Sequence, residues 1–205
     1  HQEEIYRLAY FDSNTSLPNR LYFIEELNRS LKELNDDQKL AVLYLDLDRF
    51  KHINDTLGHN IGDEVLRLVG LRLGKIVGRG NLIAKSGGDE FLILIKDIHD
   101  QIQAVHIANG IIEDFKRPIL ANGYKLYLTT SIGIATYPEA GTSSSYLIKN
   151  AETALYKAKD MGGNSYFKYN ETIGEREYEN LTILNELRQA VINKEFLLYY
   201  QPKID

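Results

Sequence analysis

Apolar and polar positions follow two periods along the chain, and these predict separate helices and strands. Apolar residues spaced three or four apart, as on one face of a helix, occur in residues 21–34, 61–77, 102–115, 143–159 and 171–193. Short apolar runs bounded by turn residues, typical of strands, occur in residues 40–47, 82–84, 91–95, 119–120, 125–137, 165–169 and 196–200. The run at 40–47 is continuously apolar, which predicts a central strand covered on both faces.

Two glycine-containing turns predict hairpins in this series. Gly87-Gly88 and Asn122-Gly123 each separate two apolar runs. Helices and strands otherwise alternate along the chain. We therefore expect an α+β (mixed α/β) fold, in which helices cover a central mixed sheet with two hairpins.

The end of the chain predicts a second unit. The strand at 196–200 follows a long helix and has no partner after it in the sequence. We therefore expect one domain at residues 1–170, and at 171–205 a linker helix with the first strand of another domain.

Composition narrows the classes of function. The 205 residues contain no cysteine, which excludes a disulfide scaffold, a thiolate zinc site and a cysteine nucleophile. No apolar run approaches the roughly 20 residues that cross a bilayer, so we expect no membrane contact within this segment and a cytoplasmic location, with any tether outside it. The net charge of −5 argues against nucleic acid as a partner. An anionic ligand would therefore need local cations or a bound metal.

Carboxylates stand at the ends of two predicted strands. Asp46 and Asp48 point to one side at the end of the central strand, and Asp89 and Glu90 follow the glycine pair. If the hairpin lies beside the central strand, these hard oxygen ligands suit Mg²⁺ bound together with phosphates. Alternatively, Asp48 caps a helix, backbone donors satisfy Asp46, and the turn acids are solvated.

Three lysines are candidate phosphate ligands. They are Lys51, Lys85 and Lys159. Lysine binds phosphate as a point charge, although most lysines are only solvated.

Several motifs resemble one known family. Residues 87–91 spell GGDEF, and the matching motifs around it lie at residues 12–20, 46–55, 58–63, 131–135 and 151–159. Together they cover about residues 5–169, and the chain resembles a diguanylate cyclase (GGDEF) domain. Residues 187–190, 195–196 and 200–202 resemble the entry into an EAL phosphodiesterase domain, which implies a GGDEF–EAL tandem parent with the EAL domain as partner.

The resemblance implies an activity and a set of roles. Such domains condense two GTP molecules into cyclic di-GMP and two pyrophosphates, on a palm-like nucleotide cyclase fold that works as a homodimer. The positions matched to Mg²⁺ (or Mn²⁺) are Asp46, Leu47 through its carbonyl, Asp89 and Glu90. The positions matched to catalysis are Asp89, Glu90 and Lys85, and those matched to substrate are Asn54, Asp63, His59, Lys51 and Lys159. An aspartate that accepts two guanine N–H groups would explain the choice of base, because adenine would leave it unpaired.

Several positions depart from the family pattern. Lys85 and Gly163 stand where the family carries arginines. At position 85 a lysine replaces the planar guanidinium, and at position 163 the cation is lost. Residues 78–81 read Gly-Arg-Gly-Asn in place of the R-x-x-D product site, which argues against product inhibition there. These departures leave two hypotheses, an active cyclase and a module that binds GTP, turns over poorly and regulates an adjacent EAL domain.

Overall fold

The computed structural model describes residues 2–171, 183, 186–187 and 189–193. The chain divides into two units, His1–Asn170 and Glu171–Asp205. The strand predicted at 196–200, the EAL-like motif around it and most of the helix predicted at 171–193 lie outside the described residues. No helix in the described part of the chain has the length and apolar content to cross a membrane.

The first unit combines helices and strands in alternation. Its helices are α1 (Gln2–Tyr10), α2 (Arg20–Glu33), α3 (Phe50–Leu57), α4 (His59–Val77), α5 (Gln101–Asp114) and α6 (Ser144–Asp160). Its strands are β1 (Lys39–Leu47), β2 (Leu82–Gly87), β3 (Glu90–Ile98), β4 (Ile119–Ala121), β5 (Tyr124–Leu126), β6 (Thr130–Thr136) and β7 (Tyr166–Lys168).

One five-stranded sheet organises this unit. Its order is β2-β3-β1-β6-β7, with β1 antiparallel to both neighbours and β6 parallel to β7. β4 and β5 form a separate two-stranded hairpin. The predicted mixed sheet with two hairpins is confirmed, and β1 is its central strand.

β1 contributes to a different hydrophobic core on each face of the sheet. Leu43 and Leu45 join a core with residues of α4 and α5, whereas Val42 and Tyr44 join a second core with residues of α2 and α6. Successive strand residues point to opposite faces, so an uninterrupted apolar run is what a strand between two helical layers requires. Asp46 lies on the same face as Tyr44, which is the face that α6 covers.

Two elements differ from the sequence prediction. The predicted strand at 125–137 is divided into β5 and β6, and residues 127–129 between them belong to neither strand. Residues 48–60, for which the sequence analysis predicts no element, contain α3, whose Phe50 is buried in the core formed with α4 and α5 while Ile53 packs against it. Apolar residues cover only one side of this two-turn helix, so its polar side dominates the sequence.

Candidate functional site

Asp46 is buried at the end of β1 against a lysine from α6. Its backbone pairs with Glu90 of β3 on one side and with Ser131 of β6 on the other. The side chain of Asp46 is only 8% exposed, and its Oδ2 lies 2.7 Å from Nζ of Lys159. Lys159 stands in the last turn of α6, where the helix dipole also favours a cation. Asp46 is therefore satisfied by an ion pair and not by backbone donors.

The acidic surroundings of Asp46 make its ionisation unfavourable. Burial raises the pKa of the Asp46 carboxyl to about 6, against the opposing effect of the hydrogen bond from Lys159, and the negative charges of Asp89 and Glu90 add to the rise in pKa. Three carboxylates thus share one region, in which Lys159 pairs with Asp46. A further cation would relieve this repulsion.

The β2–β3 hairpin brings Asp89 and Glu90 to the end of β1. The backbone N–H of Leu47 donates to the carbonyl oxygen of Asp89 at 3.3 Å, and Glu90 stands opposite Asp46 in the strand register. Gly88 adopts φ of +39°, in the left-handed region that glycine tolerates at no steric cost. The hairpin therefore lies beside the central strand, which is the condition under which the sequence predicts a shared carboxylate site.

Lys85 stabilises the turn of this hairpin. The Lys85 side chain is buried, and its Nζ donates to the carbonyl oxygens of Gly87 at 2.8 Å and Gly88 at 2.5 Å. Burial lowers the pKa of the Lys85 ammonium, although the negative charges of Asp12, Asp89 and Glu90 oppose that change. Lys85, which the sequence predicts to be catalytic, therefore binds backbone carbonyls of the turn.

The donor set fits a hard divalent cation that is held jointly with a ligand. Asp46, Asp89, Glu90 and the Leu47 carbonyl offer oxygen atoms, the ligands that Mg²⁺ and Mn²⁺ prefer. Within the described residues, no group of three or more carboxylate or histidine side chains is arranged to hold a metal by itself. Mg²⁺ commonly binds through one or two carboxylates plus substrate phosphates, so the residues present suit that kind of site.

A cleft of about 450 Å³ lies on one side of the hairpin, and we call it the first cleft. Its lining includes Asp12, Asn14, Asp63, Lys85 and the hairpin glycines. The side-chain amide of Asn14 donates to the backbone carbonyl of Asp63 at 2.9 Å, which connects the segment after α1 to α4. The exposed carboxylate of Asp63 therefore borders a polar cleft next to the glycine turn.

Asn54 lies close to Asp63 through the glycine that precedes Asp63. A Cβ atom placed on Gly62 would fall 1.8 Å from Oδ1 of Asn54, so the Asn54 side chain rests directly on the backbone of α4. Asn54 and Asp63, the two of the substrate-matched positions that the resemblance assigns to guanine, are thereby brought together. His59, the first residue of α4, and Lys51 of α3 are exposed and do not line the two clefts described here.

A second cleft of about 580 Å³ opens at Asp46, and we call it the second cleft. Three basic side chains line it, those of Arg49, His52 and Lys159. Gly163, where the family carries arginine, lies in its wall. This concentration of cations beside the carboxylates suits a polyphosphate.

Asp48 organises one wall of the second cleft. Its carboxylate accepts hydrogen bonds from the hydroxyls of Thr129 and Ser131, each at 2.7 Å, and from the backbone N–H of Asn164 at 2.9 Å. It makes no side-chain cap to α3, whose N-cap residue is Arg49. Asp48 therefore connects the segments before β6 and after α6 to the end of β1.

Sequence reasoning assigned no role to several polar residues around these clefts. Asn14, Arg20 and Ser86 line the first cleft, and Arg49 and His52 line the second. Tyr44 donates a hydrogen bond to Glu90 at 2.9 Å, and burial raises the pKa of its hydroxyl, which keeps the proton on the donor. The signal that could have found Tyr44 is its position two residues before Asp46, on the same face of β1.

Comparisons with known proteins identify the family of this chain. The family model for the diguanylate cyclase GGDEF domain matches residues 9–165. Signaling protein YkoW of Bacillus subtilis is 40% identical over 204 residues, which are 98% of this chain and 26% of YkoW. The bifunctional diguanylate cyclase/cyclic di-GMP phosphodiesterase MucR of Pseudomonas aeruginosa is 36% identical over 202 residues, which are 98% of this chain and 29% of MucR. The chain thus spans less than a third of either relative.

A solved structure extends the agreement to the fold. The GGDEF domain of TpbB from Pseudomonas aeruginosa superposes with a TM-score of 0.80 at 37% identity, covering 82% of this chain and 99% of that one. Its likeness supports the predicted fold class.

Proposed function

The chain belongs to the diguanylate cyclase GGDEF domain family, and on that premise we propose that it condenses two GTP molecules into cyclic di-GMP at the interface of two copies. What carries the proposal is the meeting of Asp46, Asp89 and Glu90 with Lys159 between two clefts. In each half-reaction a 3′-hydroxyl oxygen bonds to the α-phosphorus of the facing GTP, and the bond to the β-phosphate oxygen breaks. Two such steps release two pyrophosphates.

The roles of the residues follow from their placement. Asp63 and Asn54 would hold guanine beside the first cleft, and Lys159 with Arg49 would hold phosphates in the second. Asp89, at the hairpin tip, would accept the proton of the attacking hydroxyl. Because a carboxylate that accepts two N–H groups loses both partners with adenine, this arrangement would select GTP over ATP.

Asp46, Glu90, Asp89 and the Leu47 carbonyl would bind Mg²⁺ or Mn²⁺ together with the phosphates. A bound divalent cation would neutralise the charge that develops on the phosphoryl oxygens. Burial chiefly, and the charges of Asp89 and Glu90 in addition, raise the pKa of the Asp46 carboxyl. A bound cation would favour the ionised form of Asp46, so this arrangement suits a site completed by its ligand.

A second candidate function rests on the missing arginines. Lys85 is directed at hairpin carbonyls and Gly163 has no side chain, so neither supplies the planar cation that the family carries at these positions. Loss of a few kcal/mol of charge stabilisation at a transition state lowers the rate by orders of magnitude. The chain would then bind GTP and regulate an adjoining EAL domain in a longer cytoplasmic parent.

One experiment separates the two functions. The protein is incubated with GTP and Mg²⁺ over a range of protein concentrations, and the nucleotides are resolved by chromatography. A cyclase that works between two copies gives cyclic di-GMP with a specific activity that rises with protein concentration, and Asp46→Asn abolishes the product. GTP binding without product at every concentration would reject the cyclase and favour the regulatory module.

A further inference from the structure

A buried tyrosine connects the N-terminal segment to Glu90. Tyr44 is 3% exposed, and its hydroxyl donates to Oε2 of Glu90 at 2.9 Å. Nη1 of Arg20 donates to the same hydroxyl oxygen at 3.1 Å, and Oγ of Ser86 lies 3.3 Å from it. Arg20 also donates to Ser86 at 2.8 Å. The hydroxyl is thus held from two sides while it holds Glu90.

The register of the sheet explains why Glu90 needs such a partner. Glu90 stands directly opposite Asp46 in the pairing of β1 with β3, and two carboxylates in that relationship repel each other. Tyr44 lies two residues before Asp46 on the same face of β1, one step along the strand. Its hydrogen bond engages Oε2 of Glu90 and leaves the second oxygen, Oε1, for another ligand.

Arg20, which donates to the Tyr44 hydroxyl, is itself held at the start of a helix. Arg20 is the first residue of α2, whose N-terminus is capped by the side chain of Asn19 at the N–H of Tyr22. The Arg20 guanidinium also lies 5.9 Å from the centre of the Tyr44 ring, within the range of a cation–π contact. Packing, the Arg20 guanidinium and the Ser86 hydroxyl together fix the position of the Tyr44 hydroxyl oxygen beside Glu90.

We propose that Tyr44, fixed by Arg20 and Ser86, is a positioning residue that holds Glu90 in the orientation in which it binds a divalent cation. This inference rests on the proposed function, because it takes Glu90 as a cation ligand. Partners that orient metal ligands typically change metal affinity by ten- to a hundredfold when they are removed. Tyr44 contacts neither substrate nor cation in this role.

The test measures cation binding without turnover. The probe is Mn²⁺, followed by electron paramagnetic resonance, in the presence of a GTP analogue whose α,β-bridging oxygen is replaced by methylene. We expect Tyr44→Phe to bind Mn²⁺ about tenfold more weakly than the natural chain. Arg20 still donates its hydrogen bond to Ser86 in this variant, so the Arg20 guanidinium is not left without an acceptor.

A matched control removes the same kind of bond elsewhere. The hydroxyl of Tyr10 donates to Glu25 at 3.1 Å on the surface between α1 and α2. Tyr10→Phe therefore deletes a tyrosine–glutamate hydrogen bond outside the site and should leave the Mn²⁺ affinity unchanged. An equal loss in both variants would assign the effect to general stability and overturn the proposal.

The Mg²⁺ dependence of the reaction rate is a second measurement, and a purely structural role of Tyr44 would not change it. In Tyr44→Phe the Mg²⁺ concentration for half-maximal rate should rise about tenfold, while kcat recovers at saturating Mg²⁺. If Tyr44→Phe folds poorly, Arg20→Gln frees the hydroxyl without a change in the core, and we expect about a threefold weaker Mn²⁺ affinity.

The outcomes distinguish this inference from the cyclase proposal. Unchanged or tighter Mn²⁺ binding in Tyr44→Phe overturns the positioning role even if cyclic di-GMP is made. Weaker binding in Tyr44→Phe with no cyclic di-GMP from the natural chain supports the positioning role and rejects the cyclase. Absence of Mn²⁺ binding by the natural chain overturns the positioning role outright.

Discussion

The side-chain oxygen Oδ1 of Asn54 occupies the space beside the Cα of Gly62, where a Cβ would lie only 1.8 Å away. Glycine at 62 is therefore what allows α3 to place Asn54 against α4 beside Asp63. The severe clash would involve the far end of the Asn54 side chain, which can rotate, while Cζ of the buried Phe50 would lie 3.2 Å away and need only a small shift. Asn54 would move before the fold did.

Gly62→Ala should weaken GTP binding about tenfold while leaving stability nearly unchanged. The methyl group displaces the Asn54 side chain from the guanine position, whereas alanine favours the helix by about 0.5–1 kcal/mol over glycine. Binding of a GTP analogue by calorimetry and the unfolding midpoint give the two quantities. Gly74→Ala is the matched control, because this glycine of α4 faces open space. Equal GTP affinities in the two variants would contradict the placement of Asn54.

Asp46→Asn should abolish cation-dependent turnover and gain stability over the natural chain as pH rises. The folded pKa of Asp46 is raised to about 6 from an ordinary value of 3.8, so the folded state binds the proton more tightly between these values. Stability of the natural chain therefore falls from about pH 4 to pH 6, and asparagine does not titrate. We expect a gain of about 1 kcal/mol at pH 7.5, less than the shift alone implies because water at the cleft screens the charge.

The control for that comparison is an exposed acid. Asp37→Asn, in the surface segment before β1, should show no pH-dependent gain. The measurement is the difference in free energy of unfolding from denaturant curves at pH 4 and pH 7.5. A difference that is the same at both pH values would refute the raised pKa of Asp46.

Gly163→Arg should raise kcat/KM at a small cost in stability. Gly163 adopts φ of +75°, where a side chain is strained by about 1 kcal/mol, and its Cβ would approach the Asp48 carboxylate to 3.1 Å. The guanidinium would add a cation to the second cleft. Gly163→Ala carries the same strain without the charge, so initial rates of the two variants isolate the cation. No difference between them would show that this cation does not limit the rate.

Added cyclic di-GMP should not inhibit through residues 78–81. Asn81 stands at the aspartate position of the product site, and both ends of its side chain are engaged. Nδ2 donates to the carbonyl of Val77 and Oδ1 accepts the N–H of Lys96, each at 2.9 Å. Direct titration with cyclic di-GMP should give the same binding for the natural chain and for Arg79→Ala. A loss of binding in Arg79→Ala would overturn this expectation.

The periodic parts of the chain could be predicted because burial imposes their pattern. β1 reads as a central strand since both its faces are packed, and the glycine pair marks the hairpin because glycine takes φ of +39° at no steric cost. α1 was missed, since none of its residues is buried and no core enforces its pattern. The sequence therefore reveals elements in proportion to how far the core constrains them.

The contents of the site were predictable as residue types but not as contacts. Asp46, Asp89 and Glu90 could be expected to meet once the hairpin lay beside β1. The target of Lys85 depends on the distance to two turn carbonyls, which residue spacing does not encode. Tyr44 sits in an apolar run and reads as core, so its hydroxyl contact with Glu90 appears only in three dimensions.

The two-sided packing of β1 has a consequence for how the chain tolerates change. One residue inserted into or deleted from β1 would exchange the side chains destined for the two cores and turn Asp46 away from Lys159. The register that builds the interior is thus the same register that assembles the carboxylates. A chain whose central strand has slipped by one residue forms neither the two hydrophobic cores nor the carboxylate site. A change in the register of β1 therefore affects stability and activity together.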